Sequence, residues 1–166
     1  MGRTLVAGFG NELRGDDGVG IAVIHRLESA GFASAEVSLM EVGTGGLRLA
    51  QELLAGYDRL VVVDAMARGG SVGTVYLLEV EVVEPVAEVD LHLAVPSRAL
   101  SVAQALGALP REVYLAGCEP GEVDELTTEL TPLVRDAVDR LVERIGELLR
   151  HPTLAAGVVD AGTTGG

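Results

Sequence analysis

Leu60-Val61-Val62-Val63 is an unbroken apolar run closed by Asp64. A strand with one wet face alternates apolar and polar residues, so a continuous run calls for cover on both faces. Thr4 to Ala7 and Val113 to Ala116 repeat the pattern. The stretches between them have helical spacing. Val19, Val23, Ile24 and Leu27 form one stripe, with Asp16 as a cap before it and Gly31 as its stop. Leu47, Leu49, Ala50, Leu53 and Leu54 form another, after the strand-like run Val37 to Val42 and the break Gly43-Thr44-Gly45-Gly46. Val134, Val138, Leu141, Ile145 and Leu148 follow the helix start Thr131-Pro132. Val72 to Leu78 reads as another strand, an antiparallel one on a hairpin-like connection after Gly69-Gly70. Residues 80–96 read as an extended loop, and Ser97 to Leu106 as a helix.

Strands alternating with helices predict an α/β fold: an open, twisted, mostly parallel sheet flanked by helices on both faces. The chain's 166 residues fit one domain, expected over 1–151, with 152–166 as a flexible Gly/Ala/Thr-rich tail. In such sheets the working residues collect at the carboxyl ends of the strands. The loops after Ala7, Val42 and Val63 are polar or glycine-rich and belong at that edge.

Charge and composition exclude several functions. The net charge is −13, and all 12 basic residues are arginine. An acidic chain repels phosphate backbones, which argues against nucleic acid as a partner. Without lysine there is no Walker A lysine, Schiff base or Ser-Lys pair. No apolar run approaches the roughly 20 residues of a membrane span, and the N-terminal run is too short for a signal-peptide core. A cytoplasmic location is the expectation. The one cysteine, Cys118, excludes an internal disulfide framework.

The loop Gly8-Phe9-Gly10-Asn11-Glu12-Leu13 begins like a dinucleotide fingerprint, but Leu13 occupies the third glycine position. Asp16 and Asp17 follow where a pyrophosphate would sit, and their charge would repel it. No nucleotide cofactor is expected. Asp16 suffices as a helix cap, which leaves Asp17 available for another role. Asp64 has two readings: a turn aspartate bonding nearby amides, or a carboxylate aimed into the crevice at a strand tip. His92, alone, reads as structural. With Asp17 and Asp64 it would complete a set of two carboxylates and one imidazole, suited to a borderline divalent metal with positions left open. His25 belongs on the outer side of its helix, and His151 at the end of the last. Cys118 reads as a small buried thiol, with a Cys-His pair to His92 as the alternative.

These residues resemble the hydrogenase maturation endopeptidases of nickel-iron hydrogenases. That family opens with a strand and G-x-G-N-x-L-x-x-D-[DE]-x-x-G, which Gly8 to Gly20 matches. Glu41-Val42-Gly43-Thr44-Gly45-Gly46, Val61-Val62-Val63-Asp64-Ala65, Asp90-Leu91-His92 and Gly117-Cys118-Glu119-Pro120 are similar to its later elements, in the same order, over roughly residues 3–150. The resemblance implies an endopeptidase that removes the C-terminal extension of a large-subunit precursor already loaded with nickel. The nickel would come with that precursor. Asp17, Asp64 and His92 would contact the metal and carry catalysis, and Asn11, Glu41, Gly43 and Thr44 would bind substrate. A non-catalytic nickel-checking or chaperone module would use the same residues. Two positions depart from the pattern: Glu41 stands where aspartate is usual, and Cys118 where an apolar residue is.

Overall fold

A computed structural model describes residues 2–80 and 94–151. Its strands are β1 (Thr4–Phe9), β2 (Val37–Gly43), β3 (Arg59–Ala65), β4 (Val75–Glu79) and β5 (Glu112–Cys118). Its helices are α1 (Val19–Ser29), α2 (Leu47–Leu53), α3 (Ala94–Ala105) and α4 (Pro132–Arg150), with a 3-10 turn at Gly15–Gly18. The five strands form one sheet in the order β2-β1-β3-β5-β4, all parallel except β4. The expected α/β architecture is therefore present.

The apolar runs sit where double cover is available. Every residue of β1 and β3 is buried, whereas the outer strands β2 and β4 are mostly half-buried. Val6, Val61 and Val63 face α1 and α4, where they meet Val23, Leu27, Val134, Leu141 and Ile145. Leu5, Ala7, Leu60 and Val62 face the other way, against Leu49, Leu53, Ala99 and Ala103 of α2 and α3. This is the two-residue alternation of a strand expressed as two separate cores.

The close seating of α1 depends on glycine. A methyl group on Gly20 would come within 2.3 Å of the Phe9 carbonyl oxygen and 2.4 Å of that of Val63. One on Gly8 would lie 2.6 Å from the Gly20 oxygen. The N-terminal turn of α1 thus rests on the carboxyl ends of β1 and β3, bringing the preceding loop over the crevice between them.

Three sequence expectations need correction. Val72 to Leu78 was expected on a hairpin-like connection after β3. The strand is antiparallel, as expected, but it starts at Val75 and pairs with β5, which lies between it and β3. Gly73, at φ 88°, and the hydrogen bond from Thr74 N to the Ser71 oxygen place a turn at its start. The helix expected from Ser97 begins at Ala94, so the extended-loop reading fails for 94–96. Pro96 falls in its first turn, where a missing N–H leaves no intrahelical bond unmade. Asp16 does not cap α1. Gly18 holds the cap position without a side-chain bond, because the 3-10 turn directs Asp16 inward. The tail expected at 152–166 lies outside the described residues.

Candidate functional site

Strand order reverses between β1 and β3. The chain leaves β1 for β2 on one side and returns to β3 on the other. Side chains from both neighbouring loops can meet only at such a switch point, and open α/β sheets bind ligands there. A cavity of about 180 Å³ opens at this place, with Gly10, Asp17, Gly43, Thr44, Asp64 and Pro96 in its wall.

Asp64, the next-to-last residue of β3, shares the sheet face of Leu60 and Val62 and points to the crevice on the α2–α3 side. It is buried and accepts a 2.8 Å hydrogen bond from Ala65 N. Both sequence readings of Asp64 therefore hold, since it bonds a local amide and also faces the cavity. Burial first, and the nearby Asp17 charge second, push its carboxyl up to about 8, against the opposing Ala65 bond.

Asp17 is half-buried and accepts a 2.9 Å hydrogen bond from Asn11 N. The turn that places it requires glycine. Gly10 has φ 116°, and a side chain there would strike the Asp17 carbonyl oxygen at 2.0 Å. Among the described residues neither Asp17 nor Asp64 has a salt-bridge partner. Two carboxylates converging without a cation form a site suited to receive one.

The structure brings Asp17, Asp64, Gly43 and Thr44 to one cavity. Asn11 and Glu41 line an adjoining hollow of about 340 Å³, which shares Gly10, Gly43 and Thr44 with the first. The Glu41 carboxylate meets the His25 imidazole of α1, and both side chains are about half exposed. His25 lies on the outer face of its helix, as its position predicts, but the partnership was not legible locally. His92 lies outside the described residues. Among the described residues no group of three or more His, Cys, Asp or Glu side chains is arranged to hold a metal.

Two further carboxylates build the crevice without entering it. Asp16 is fully buried and accepts bonds from Gly121 N, Thr131 N and the Thr131 hydroxyl at 2.7–2.8 Å. It ties the loop before α4 to the loop after β1, at a helix N-terminus where a negative charge is favoured. Glu119 accepts bonds from Arg68 N at 2.8 Å, Gly69 N at 3.1 Å and the Tyr76 hydroxyl at 2.9 Å. Burial alone would raise its carboxyl, but the bonds from Arg68, Tyr76 and Gly69 together hold it below its usual range. Glu119 thereby fixes Pro120 in the cavity wall. The adjacency of Glu119 to Pro120 was the one available signal. Nothing local announced Asp16, whose partners lie 105 and 115 residues away.

Cys118 is fully buried within the core against α4. Burial first, and the Asp16 charge next, push its thiol up to about 12, so almost no nucleophilic thiolate exists near neutral pH. Cys118→Ser should keep most of its catalytic activity and lose about 1–3 kcal/mol of stability, the cost of burying an unpartnered hydroxyl. Turnover assays beside chemical denaturation check both values. An inactive but folded variant would contradict the packing role.

Comparison with known proteins agrees with this fold. A family model described as hydrogenase maturation protease matches residues 21–148. The hydrogenase expression/formation protein HoxM of Cupriavidus necator is 33% identical over 147 residues, covering 87% of this chain and 72% of that protein. The hydrogenase 2 maturation protease of Escherichia coli is 27% identical, with 93% and 94% covered. Among solved structures, the hydrogenase maturating endopeptidase HybD of E. coli superposes with a TM-score of 0.75 at 28% identity, covering 89% of this chain and 92% of that one. The [NiFe] hydrogenase maturation protease HybD of Thermococcus kodakarensis gives 0.74 at 30% identity, with 89% and 99% covered.

Proposed function

This chain belongs to the hydrogenase maturation protease family, and we propose that it is the endopeptidase that removes the C-terminal extension from a nickel-loaded precursor of a nickel-iron hydrogenase large subunit. The observation that carries the reading is the convergence of Asp17 and Asp64 at the sheet's switch point, without a salt-bridge partner among the described residues. In this reading the cation is the substrate's own nickel, which the precursor brings with part of its coordination already filled. Asp17, Asp64 and His92 supply the remaining contacts and thereby recognise that the metal is in place. Such a set has no thiolate and too few ligands to hold nickel firmly by itself.

The residues have separable tasks. Asn11 N holds the Asp17 carboxylate toward the cavity. Gly43 and Thr44 form the wall shared by both hollows, where an extended peptide would run. Glu41, one methylene longer than the usual aspartate, is turned toward His25 and borders the same path. A carboxylate of the pair can accept a proton from the attacking water, and a protonated one can return it to the departing amine.

No helix of the described residues is long and apolar enough to cross a membrane, and we place the reaction in the cytoplasm. The test is incubation of the purified protein with the nickel-loaded precursor, followed by mass spectrometry. The expected product is a shortened large subunit and one released C-terminal peptide. A stable complex with the precursor mass unchanged would instead identify a nickel-checking module.

A further inference from the structure

A third hollow, of about 230 Å³, lies between α2 and α3 beside the crevice. Its wall is formed by Thr44, Gly46, Leu47, Arg98, Ala99 and Val102. Thr44 belongs to this hollow and also to the cavity containing Asp17 and Asp64. Pro96, in the first turn of α3, faces that cavity while Arg98 faces the hollow. The two spaces are therefore consecutive stations along one path.

The lining is apolar and open to water. Leu47 is 64% exposed and Val102 is 40% exposed. The apolar surface continues down the same faces: Leu54 lies two turns beyond Leu47, and Leu106 one turn beyond Val102, both more than half exposed. Arg98 is one turn before Val102, and among the described residues no acidic side chain lines the hollow, although the chain carries a net charge of −13. The described lining is thus apolar with one arginine.

We propose that this α2–α3 hollow is a specificity subsite that takes an apolar side chain of the precursor's C-terminal extension, with Arg98 reading an acidic group beside it. This rests on the endopeptidase reading above. A folded subunit body cannot enter so small a groove, whereas an extended segment can. The groove leads away from the carboxylates, as a chain must that departs from a scissile bond held there. An acidic neighbour complements Arg98 and is repelled elsewhere on the surface.

The test compares Leu47→Asp, Val102→Asp and Arg98→Glu with the wild type. All three positions are exposed, so their melting temperatures should stay unchanged. With the nickel-loaded precursor, KM should rise about 10- to 100-fold in the two aspartate variants, the value of one buried apolar side chain, while kcat holds. Fluorescence anisotropy with a labelled peptide of the extension should show the same loss without any cleavage. If the wild type cuts the precursor and the variants match its KM and peptide affinity, the subsite is overturned and the endopeptidase reading survives. If the wild type does not cut, the endopeptidase reading fails, and peptide binding alone decides the subsite. If Leu47→Asp or Val102→Asp dissociates a dimer of this chain with unchanged KM, the groove is a self-association surface and the proposal is wrong.

Discussion

Asp64→Asn should abolish measurable processing and, at the same time, make the metal-free protein more stable. Amide for carboxylate keeps the shape and the bond from Ala65 N, but removes the charge and the exchangeable proton. Loss of an acid–base group costs about 10²- to 10⁴-fold in rate, and in the proposed reaction the loss of a contact to the substrate's metal adds to it. Asp17→Asn should be as inactive, because it removes the other half of the pair. The stability effect follows from the raised carboxyl. Asp64 titrates near 8 in the folded protein, against 3.8 as the ordinary value. Between these pH values the folded chain binds a proton that the unfolded chain has released, so stability falls as pH rises through the window. Below about pH 4 both states are protonated and the wild type is not penalised. By pH 8 to 9 the penalty is complete. The melting temperature of Asp64→Asn should therefore match that of the wild type near pH 4 and exceed it increasingly toward pH 8. A constant difference across that range would show that Asp64 is not held in its neutral form by the fold. Undiminished processing by either asparagine variant would remove that residue from the reaction.

Arg59→Leu should cost about 3–5 kcal/mol of folding stability, the usual penalty for leaving a buried charge without its partner. Arg59 and Glu112 open β3 and β5 in direct register and meet at 3.0 Å, both buried. The same guanidinium donates to the carbonyl oxygens of Leu148 and His151 at 3.0 and 3.1 Å. It therefore locks the C-terminal end of α4 to the sheet and satisfies acceptors that a helix end leaves open. The double variant Arg59→Leu, Glu112→Leu should recover most of the loss, because it removes both charges together. Urea titrations of the single and double variants measure the difference. The pair sits at the edge of the sheet opposite the crevice, so kcat of the folded Arg59→Leu fraction should be unchanged at low temperature. Equal stability of Arg59→Leu and wild type would contradict the buried pairing.

This lock also marks the limit of what was legible in the sequence. The apolar runs of β1, β3 and β5 and the stripe of α4 identify themselves, because double cover and a helical period leave patterns within a few residues. Pairing across the chain leaves none. Nothing near Arg59 names Glu112, and nothing near Val75 tells that β5 inserts between its strand and β3. Asp16 is the sharper case. Beside a helix start it has the local signature of a cap, yet its partners belong to a loop more than a hundred residues away. Asp64 was legible because strand-tip position is itself a local property, and parallel sheets gather strand tips. Asp17, in the 3-10 turn beyond β1, was instead singled out through a cap reading of Asp16 that the structure does not bear out. The effect of the Asp17 charge on Asp64 was not legible, since it depends on how closely the turn at Gly10 folds back.

In the proposed reaction cleavage depends on nickel carried by the substrate, a dependence open to direct measurement. Its most direct measurement is a side-by-side digestion of nickel-loaded and nickel-free precursor by protease whose own metal content has been determined beforehand. The protease should carry no stoichiometric nickel, shorten the loaded precursor and leave the nickel-free form intact. Equal cleavage of both forms, or a tightly held stoichiometric metal in the isolated protease, would contradict it.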